Sequence, residues 1–366
     1  MPDEPLGLAR LTAQGLTARP FDDPAQVAAH LGAMQGQDLG GVISSIVLRL
    51  SSGRVADVVA AMDDGSIVRG YPMRGTVFIV PAADLAWLTQ LCAAPAVRAA
   101  ERRRGQLGLD AHGIGLAAEA AARVLGDQKR GLSRSEVFAV WQTGGQPTDA
   151  GRGYHILTHL ISTGLLCYGP WNGTDQNVVL ADRWLPRRRG LEQVFNGERV
   201  AAVAEFLRTY LTSHGPASLA DFAWWTKLPV REIKAAHGLI VRDLERAPDA
   251  SDGQERWQRI GLADEVRRDR AHVRNVLLLP GFDEFILGYQ DRLFAMEHHE
   301  HVRLVPGNNG VFQRSVVIGG RVRALWRLGG RPGKRTITLE EFGDGLTATE
   351  RERAQRAFAA FPLVSG

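Results

Sequence analysis

The sequence predicts an α+β fold in which tandem winged-helix (helix-turn-helix) units are followed by a C-terminal small β-barrel or curved sheet. Three observations lead to this prediction. A pattern of helix, turn, helix and hairpin recurs along the first part of the chain. From about residue 238 the apolar spacing changes from a helical to an alternating period. No apolar run approaches the ~20 residues that a membrane-spanning helix needs.

The composition permits a nucleic-acid-binding protein without proving one. A chain of 366 residues can bury a substantial core, and its formal net charge is +4. All but four of the 44 Lys and Arg residues are arginines, which suit phosphate contacts, although a GC-rich genome produces the same bias. The two cysteines, Cys92 and Cys167, are far apart in apolar stretches, so we expect two buried thiols in a reducing compartment.

The clearest helix-turn-helix unit runs from about residue 130 to residue 185. Ser133 and Glu136 form a capping box that starts one helix, and a second helix runs from near Gly153 to Gly164. Two strands joined by an Asn-Gly turn follow. This is the order of elements in a winged helix, whose second helix can enter a major groove.

Two further units share part of this outline. The first has a helix that opens at Asp23-Pro24 and a hairpin that turns at residues 73–75. The other has a helix through Phe206 and a second helix capped by Ser218. The sequence thus divides into four predicted regions. The first winged-helix region is 1–128, the second is 129–190, a winged-helix-like third region is 191–240, and a β-rich region is 241–366.

The β-rich region contains many short candidate strands, which is typical of a small barrel or a strongly curved sheet. These candidate strands are 238–244, 256–262, 275–282, 301–305, 311–320, 321–328 and 334–340. A closing helix follows, and we expect Thr349 and Glu352 to form its capping box.

Five segments resemble a bacterial winged-helix family, the AlkZ/YcaQ-type DNA glycosylases. They are MQGQDLGG at 34–41, MRGTVFIVPAADL at 73–85, GPASLADFAWWTKL at 215–228, LLPGFDEFILGYQDR at 278–292 and NGVFQRSVVIGGRVRALWR at 309–327. They occur in the family's order and cover nearly the whole chain, and the 278–292 segment is the most specific to it. The resemblance identifies the chain as a member of this family.

The resemblance implies a DNA glycosylase that takes part in the repair of alkylation damage. No lysine lies near the 34–41 segment to form a Schiff base, so we expect a monofunctional enzyme. Its expected substrate is double-stranded DNA that carries N7- or N3-alkylated purines. These include bulky adducts or interstrand crosslinks made by a genotoxic natural product, for which the enzyme provides self-resistance. We expect a monomer that needs no cofactor and no metal, does not bind membranes, and is cytoplasmic and nucleoid-associated. The alternative is a non-catalytic winged-helix transcription regulator.

In this family a Gln-x-Gln or Gln-x-Asp motif marks the active site, and the matching residues here are Gln35 and Gln37. Glutamine at both positions is typical of the AlkZ-like branch, whereas Gly36 replaces a bulkier middle residue. Glutamine cannot ionise, so it is neither a general base nor a nucleophile. An N7- or N3-alkylated purine is already cationic and leaves as a neutral base. An amide dipole that positions water and faces the oxocarbenium-like sugar is therefore sufficient.

The spacing of the two glutamines constrains the local backbone. Residues i and i+2 share a face on an extended chain but lie about 200° apart on a helix. Both side chains can therefore face one sugar only if residues 35–37 are extended, kinked or at a helix end, which Gly36 facilitates. Without the resemblance, two polar residues that cap a surface helix are the better explanation of the motif. We expect Asp38 to cap the following helix.

Four further residues are candidates for DNA contact. Arg74 lies at the tip of the first predicted wing, where it can bind a phosphate or be an ordinary turn cation. Asn308, Asn309 and Arg314 lie in or beside a predicted hairpin at 306–310, which approaches the lesion or is a solvated turn.

Several polar clusters admit two interpretations. His155, Thr158, His159 and Ser162 share one face of the second helix in the 130–185 unit, which is a DNA-facing or a packed surface. Residues 297–301 resemble a metal cluster but favour a polar loop that leads into a strand. The arginine runs at 102–104 and 187–189 bind phosphate or are solvated. Asp283 and Asp291 are expected to form hydrogen bonds in the scaffold or to pair with Arg292.

Overall fold

A computed structural model of the chain describes residues 2–185, 189–248, 253–269, 275–308, 310–331 and 334–364. Its backbone contacts define two compact units. Unit 1 consists of Met1–Val55, Ala204–Trp225 and Pro229–Ser365, and unit 2 of Ala56–Val203 and Thr226–Leu228. The four-part division of the sequence remains a prediction. Of the helices in the described ranges, none is both long and apolar enough to cross a membrane.

The fold is mixed, as predicted, with many helices and short antiparallel strands. The helices are α1 (Glu4–Ala13), α2 (Pro24–Leu31), α3 (Leu39–Val47), α4 (Val55–Asp63), α5 (Leu85–Cys92), α6 (Ala94–Glu101), α7 (Arg104–Leu107), α8 (Ala111–Gly126), α9 (Arg134–Thr143), α10 (Arg152–Ser162), α11 (Ala181–Trp184), α12 (Leu191–Phe195), α13 (Arg199–His214), α14 (Leu219–Thr226), α15 (Val230–Ile240), α16 (Leu262–Arg268), α17 (Glu284–Leu287), α18 (His298–Leu304) and α19 (Ala348–Ala359). The strands are β1 (Met34–Gln35), β2 (Ile67–Met73), β3 (Thr76–Pro81), β4 (Leu166–Trp171), β5 (Gln176–Leu180), β6 (Leu244–Arg246), β7 (Trp257–Arg259), β8 (Leu277–Leu279), β9 (Ser315–Ile318), β10 (Arg321–Arg331) and β11 (Lys334–Glu341).

Unit 2 contains an antiparallel sheet with the strand order β3, β2, β4, β5. The β2–β3 hairpin turns at Arg74 and Gly75, whose φ angles are 59° and 67°. Two successive residues with positive φ are characteristic of a type I′ turn, which matches the twist of the flanking strands. The hairpin that the sequence predicted at residues 73–75 is therefore confirmed.

The helix pair α9–α10 and the β4–β5 hairpin confirm the elements predicted between residues 130 and 185. Ser133 and Glu136 form the expected capping box, with the Ser133 N–H 2.7 Å from Glu136 Oε2. Trp141 of α9 is fully buried and donates its indole N–H to the Ala117 carbonyl at 2.9 Å. The buried apolar side chains of α9 and α10 thus belong to a hydrophobic core of unit 2.

The C-terminal part of unit 1 contains an antiparallel sheet with the order β11, β10, β9, β8. β8 and β11 lie at its edges and a register shift interrupts the β9–β10 pairing, so it is an open, irregular sheet and not a closed barrel. Trp326 anchors its inner face: the indole N–H donates to the Leu279 carbonyl at 2.9 Å, and Phe361 packs against the ring. The predicted α+β class is therefore confirmed.

Two of the candidate strands are wrong. Residues 301–305 belong mainly to α18, because the Glu297 N–H donates to Glu300 Oε2 at 2.8 Å and a capping box starts a helix there. Residues 238–244 are mainly the end of α15 and a 3₁₀ turn, and only Leu244 belongs to a strand. The buried positions of α15 have helical spacing, which the alternating pattern concealed.

The closing helix α19 begins two residues earlier than predicted. Its capping box joins Thr347 and Glu350, with the Glu350 N–H 3.2 Å from Thr347 Oγ1, and not Thr349 and Glu352. We expect Thr347→Ala to lower the free energy of unfolding by about 1 kcal/mol, because it removes the acceptor for a helix-end N–H. Thr349→Ala, within the first turn, should be close to neutral. Urea unfolding of both variants tests this, and equal losses would contradict the assignment.

Candidate active site

Gln35, Gly36 and Gln37 connect β1 to α3 in unit 1. β1 ends at Gln35, and the backbone at Asp38 is still extended, with φ −91° and ψ 97°. Gln35 is buried with 6% of its surface exposed, whereas Gln37 is exposed. The break from helical geometry that the Gln-x-Gln spacing requires is therefore present.

The side chains of Gln35 and Gln37 meet. Gln35 Nε2 donates to Gln37 Oε1 at 3.4 Å. A hydrogen bond of this length is weak and can be exchanged for a better partner when a ligand arrives. The two residues, called the amide pair below, therefore present adjacent amide groups, one buried and one open to solvent.

Asp38 caps α3, as predicted. Its Oδ1 accepts the N–H of Gly41 at 3.0 Å. A Cβ at position 41 would lie 2.7 Å from Asp38 Oδ2 and 3.1 Å from the Gly281 carbonyl, so the close approach requires glycine. Because its carboxylate is engaged at the helix end, Asp38 is a structural residue beside the amide pair.

A buried carboxylate that the sequence analysis missed lies behind Gln35. Glu284 Oε1 accepts the backbone N–H of Gln35 at 2.8 Å, and Oε2 accepts the indole N–H of Trp225 at 3.2 Å. Only 1% of the Glu284 surface is exposed. The available signal was its position next to Asp283 in the apolar 278–292 segment, where an acidic residue needs internal partners.

Asp283, which precedes Glu284, forms a bidentate pair with the fully buried Arg49. The guanidinium nitrogens lie 2.9 Å and 3.0 Å from the two carboxylate oxygens. Ser45 of α3 donates its hydroxyl to the same carboxylate at 2.6 Å. Burial alone raises the pKa of Asp283, but the Arg49 charge and these hydrogen bonds outweigh it and hold the pKa below its usual range.

The pairing of Asp283 corrects one of the expected alternatives. Its cationic partner is Arg49, and Arg292 instead donates Nε to the Ile286 carbonyl at 3.1 Å. Asp291 accepts the Leu293 N–H at 2.8 Å and has a local turn role. The predicted scaffold role is therefore right for both acidic residues, and the predicted pairing with Arg292 is wrong for Asp283.

Gln14 links the Arg49 guanidinium to the backbone of Glu284. Arg49 Nη2 donates to Gln14 Oε1 at 2.9 Å, and Gln14 Nε2 donates to the Glu284 carbonyl at 3.2 Å. Every one of these groups is buried, so each hydrogen bond replaces one that water would otherwise supply. The backbone behind the amide pair is consequently held by a connected polar network.

The residues predicted to form a lesion-contacting hairpin are arranged differently. Residues 306–308 form a 3₁₀ turn after α18, so no strand precedes them. Asn308 lies in that turn, and Asn309 lies outside the described residues. Arg314 is half-buried with its guanidinium 4.9 Å from the Trp326 ring. Of the described residues, neither Asn308 nor Arg314 belongs to a hairpin that turns at 306–310.

A long hairpin instead joins β10 to β11. Arg331 and Lys334 are directly paired at its end, and both are exposed. Like charges in cross-strand pairs are destabilising, so an anion between them is a favourable partner. Arg327, further from the tip, is paired with Glu340 at 3.2 Å. This hairpin, which the sequence analysis did not single out, therefore carries exposed cations.

Unit 2 contains a basic cavity of about 280 Å³ between the β2–β3 turn, α6 and α10. Arg74 and Arg103 line it, together with His155 and His159. The polar face predicted on α10 thus opens into a concave surface that also includes the predicted wing-tip residue Arg74. Of the other arginine run, 187–189, only Arg189 lies in the described ranges, and it is exposed.

The histidines of this cavity are not suited to a metal. Arg104 Nη2 lies 3.0 Å from His159 Nδ1, which places a permanent cation where a metal would bind. Burial lowers the pKa of His155 and of His159, and the Arg104 charge lowers both further. Both imidazoles are therefore neutral near pH 7, and the arginines supply the positive charge.

Comparison with known proteins agrees with these features. A family model described as DNA glycosylase AlkZ-like matches residues 28–361, which include both members of the amide pair. The structure of Streptomyces sahachiroi DNA glycosylase AlkZ is similar, with a TM-score of 0.76 and 20% sequence identity over 99% of each chain. At that identity the structural likeness shows the shared fold. No curated protein matches the chain.

Proposed function

The chain belongs to the AlkZ-like DNA glycosylase family, and we propose that it hydrolyses the N-glycosidic bond of cationic N7- or N3-alkylated purines in duplex DNA. Family membership makes it a DNA N-glycosylase and not the non-catalytic regulator of the alternative interpretation. The observation that supports the substrate class is the amide pair, in which two uncharged side chains meet at 3.4 Å on a non-helical segment.

The chemistry follows from what an amide can do. As the glycosidic bond breaks, its electron pair neutralises the alkylated purine, which leaves without protonation. The sugar develops oxocarbenium character, and the negative end of an amide dipole, its oxygen, stabilises the positive charge. The exposed Gln37 amide positions the water that attacks C1′. That water loses one proton to solvent, and the products are a free base and an abasic site.

A lyase step is not part of the proposal. Cleavage of the DNA strand through a Schiff base needs a lysine amine as nucleophile. The sequence contains no lysine before Lys129, so none belongs to the segment that carries Gln35 and Gln37. We therefore propose a monofunctional glycosylase that leaves the abasic strand intact.

The exposure of Gln37 favours bulky adducts as substrates. A deep pocket selects a small flipped base, whereas an amide at the surface can approach a sugar whose base is large. We propose that adducts of a DNA-alkylating natural product, and crosslinks that contain them, fall within the substrate range. The family resemblance is the second support for this class.

Release of free base from two DNA duplexes tests the proposed function. One duplex carries 7-methylguanine, which is cationic, and the other carries hypoxanthine, which is neutral. We expect the protein to release 7-methylguanine and to leave hypoxanthine and the DNA strand intact, as followed by mass spectrometry and gel electrophoresis. Equal rates on the two lesions would contradict a mechanism without leaving-group catalysis.

We also propose that the basic cavity of unit 2 contacts one or two DNA phosphates through Arg74 and Arg103. The double variant Arg74→Ala/Arg103→Ala should weaken binding to duplex DNA irrespective of sequence and reduce the salt-dependence slope by about 1–2, because each phosphate contact releases about one counterion. Arg123→Ala is the matched control, an exposed cation on α8 of the same unit. Fluorescence anisotropy across a salt series measures both quantities, and an unchanged slope in the double variant would rule out the contact.

A further inference from the structure

The Glu284 carboxylate is hydrogen-bonded to the backbone of the amide pair. It lies 2.8 Å from the Gln35 backbone nitrogen and is almost completely shielded from solvent. Burial of a carboxylate is costly unless its oxygens are well paired. Its presence beside an active-site backbone therefore requires an explanation that the family chemistry, based on two neutral amides, does not supply.

The partners of Glu284 are neutral donors. Oε1 accepts the Gln35 peptide N–H, Oε2 accepts the Trp225 indole N–H, and His214 Nε2 lies 3.6 Å from Oε2. Burial lowers the pKa of His214, and this outweighs the raising effect of the Glu284 charge. The imidazole is therefore neutral near pH 7. Arg49, a nearby buried cation, is bonded to Asp283 and Gln14.

The backbone at Glu284 is fixed independently of its own carboxylate. Asp283 caps α17 by accepting the Phe285 N–H at 2.9 Å, and the Glu284 carbonyl accepts Gln14 Nε2. A change of the Glu284 side chain therefore alters the charge and the Gln35 contact, while the attachments of the surrounding chain remain. The Glu284 side chain therefore connects the start of α17, whose backbone is held by other residues, to the amide pair.

We propose that Glu284 is a positioning residue for base excision: its carboxylate fixes the Gln35 peptide, aims both amides at the sugar, and keeps a negative charge behind them while the sugar becomes cationic. This inference rests on the proposed function. The charge acts through a low-dielectric interior, where it is screened less than a surface charge would be. The substrate itself supplies the matching positive charge.

The test is the single-turnover rate of 7-methylguanine release by Glu284→Gln. The glutamine amide keeps the size of the side chain and can still accept one hydrogen bond through its oxygen, but it carries no charge. We expect the rate constant to fall about tenfold, less than the 10²–10³-fold that removal of a directly acting group costs. The Kd for the duplex should stay unchanged, because Glu284 does not touch DNA.

Ser45→Ala is the matched control. Ser45 donates to Asp283 at 2.6 Å, so the variant loses a buried hydrogen bond in the same cluster and leaves Glu284 untouched. We expect it to lower the Tm without lowering the rate constant. A positional effect of Glu284 is then distinguished from general destabilisation of the cluster. Equal rate losses in the Ser45 and Glu284 variants would overturn the proposal.

A second readout follows the charge itself. Since Glu284 raises the pKa of His214, the NMR-monitored pKa of His214 should be lower in Glu284→Gln than in the unmodified protein. If that variant does not fold, Glu284→Asp retains the charge and retracts it by one methylene, and a reduced rate is expected again. An unaltered rate in a folded Glu284 variant refutes only this inference. An unmodified protein that releases no 7-methylguanine refutes the proposed function.

Discussion

Replacement of Gln35 or Gln37 by Ala is expected to slow 7-methylguanine release by about 10²-fold or more, the usual cost of removing a preorganised polar group from an active site. Each variant removes one of two amides that meet at 3.4 Å, so neither residue can substitute for the other. Single-turnover kinetics with enzyme in excess measures the chemical step. The double variant should lose little more than either single variant, because the two residues act as a unit.

Gln26→Ala provides the matched control for the amide pair. Gln26 is an exposed glutamine in unit 1 whose side chain accepts the Asp22 N–H at 3.1 Å, away from β1 and α3 in sequence. Its replacement should leave the rate unchanged, and DNA affinity should be retained in all of these variants. Undiminished release by Gln35→Ala/Gln37→Ala would show that the chemistry is performed elsewhere in the chain.

The local geometry of the amide pair could be predicted because it depends on neighbours in sequence. Two glutamines at i and i+2 must leave helical geometry to face one ligand, and Asp38 is placed to cap the helix that follows. The structure has both features. The position of the hairpin turn at residues 73–75 was predictable for a similar reason, since Gly75 readily adopts the positive φ that such a turn needs.

Glu284 could not be predicted in this way. It is 249 positions from Gln35, and the hydrogen bond between them exists only because α17 and β1 come together in the folded unit. Its sequence neighbours, Asp283 and Phe285, indicate a buried segment but give no information about which backbone group the carboxylate reaches. A long-range contact of this kind requires the tertiary structure.

The error at 301–305 has a different cause. The letters HVRLV alternate between polar and apolar residues, which favours a strand, but the capping box of Glu297 and Glu300 upstream starts a helix that extends through them. A short alternating run is compatible with both periods. The capping box outweighs the alternation, so residues 301–304 are helical. The hairpin expected at 306–310 therefore has no first strand.

The largest loss of stability is expected from Asp283→Asn. The variant leaves the fully buried Arg49 without its bidentate carboxylate, and an unpaired buried charge costs about 3–5 kcal/mol in the free energy of unfolding. Asp264→Asn is the control, because Asp264 pairs with Arg267 at the protein surface, where such pairs contribute about 0–1 kcal/mol. Urea unfolding at pH 7 compares the two, and similar losses would show that the buried pair is not a main support of unit 1.

The pH dependence of the free energy of unfolding provides an independent test of the contribution of Asp283. Because the pKa of Asp283 is lowered in the folded state, its contribution is complete above the ordinary carboxyl pKa of about 3.9 and disappears as the pH falls through the lower folded value. Asp283→Asn lacks this contribution at every pH. Its stability curve should therefore fall less steeply than that of the unmodified protein below about pH 4.

Asp283 and Glu284 are adjacent, but we expect their substitution to affect different properties, stability for Asp283 and excision rate for Glu284. Asp283 joins α17 to Arg49 and to Ser45 of α3, so its loss should destabilise unit 1 while the molecules that remain folded keep their amide pair in place. Glu284 contacts the Gln35 peptide, so its loss should slow excision in a protein that remains largely stable. Rate constants corrected for the folded fraction separate the two effects, and a common cause would make them change together.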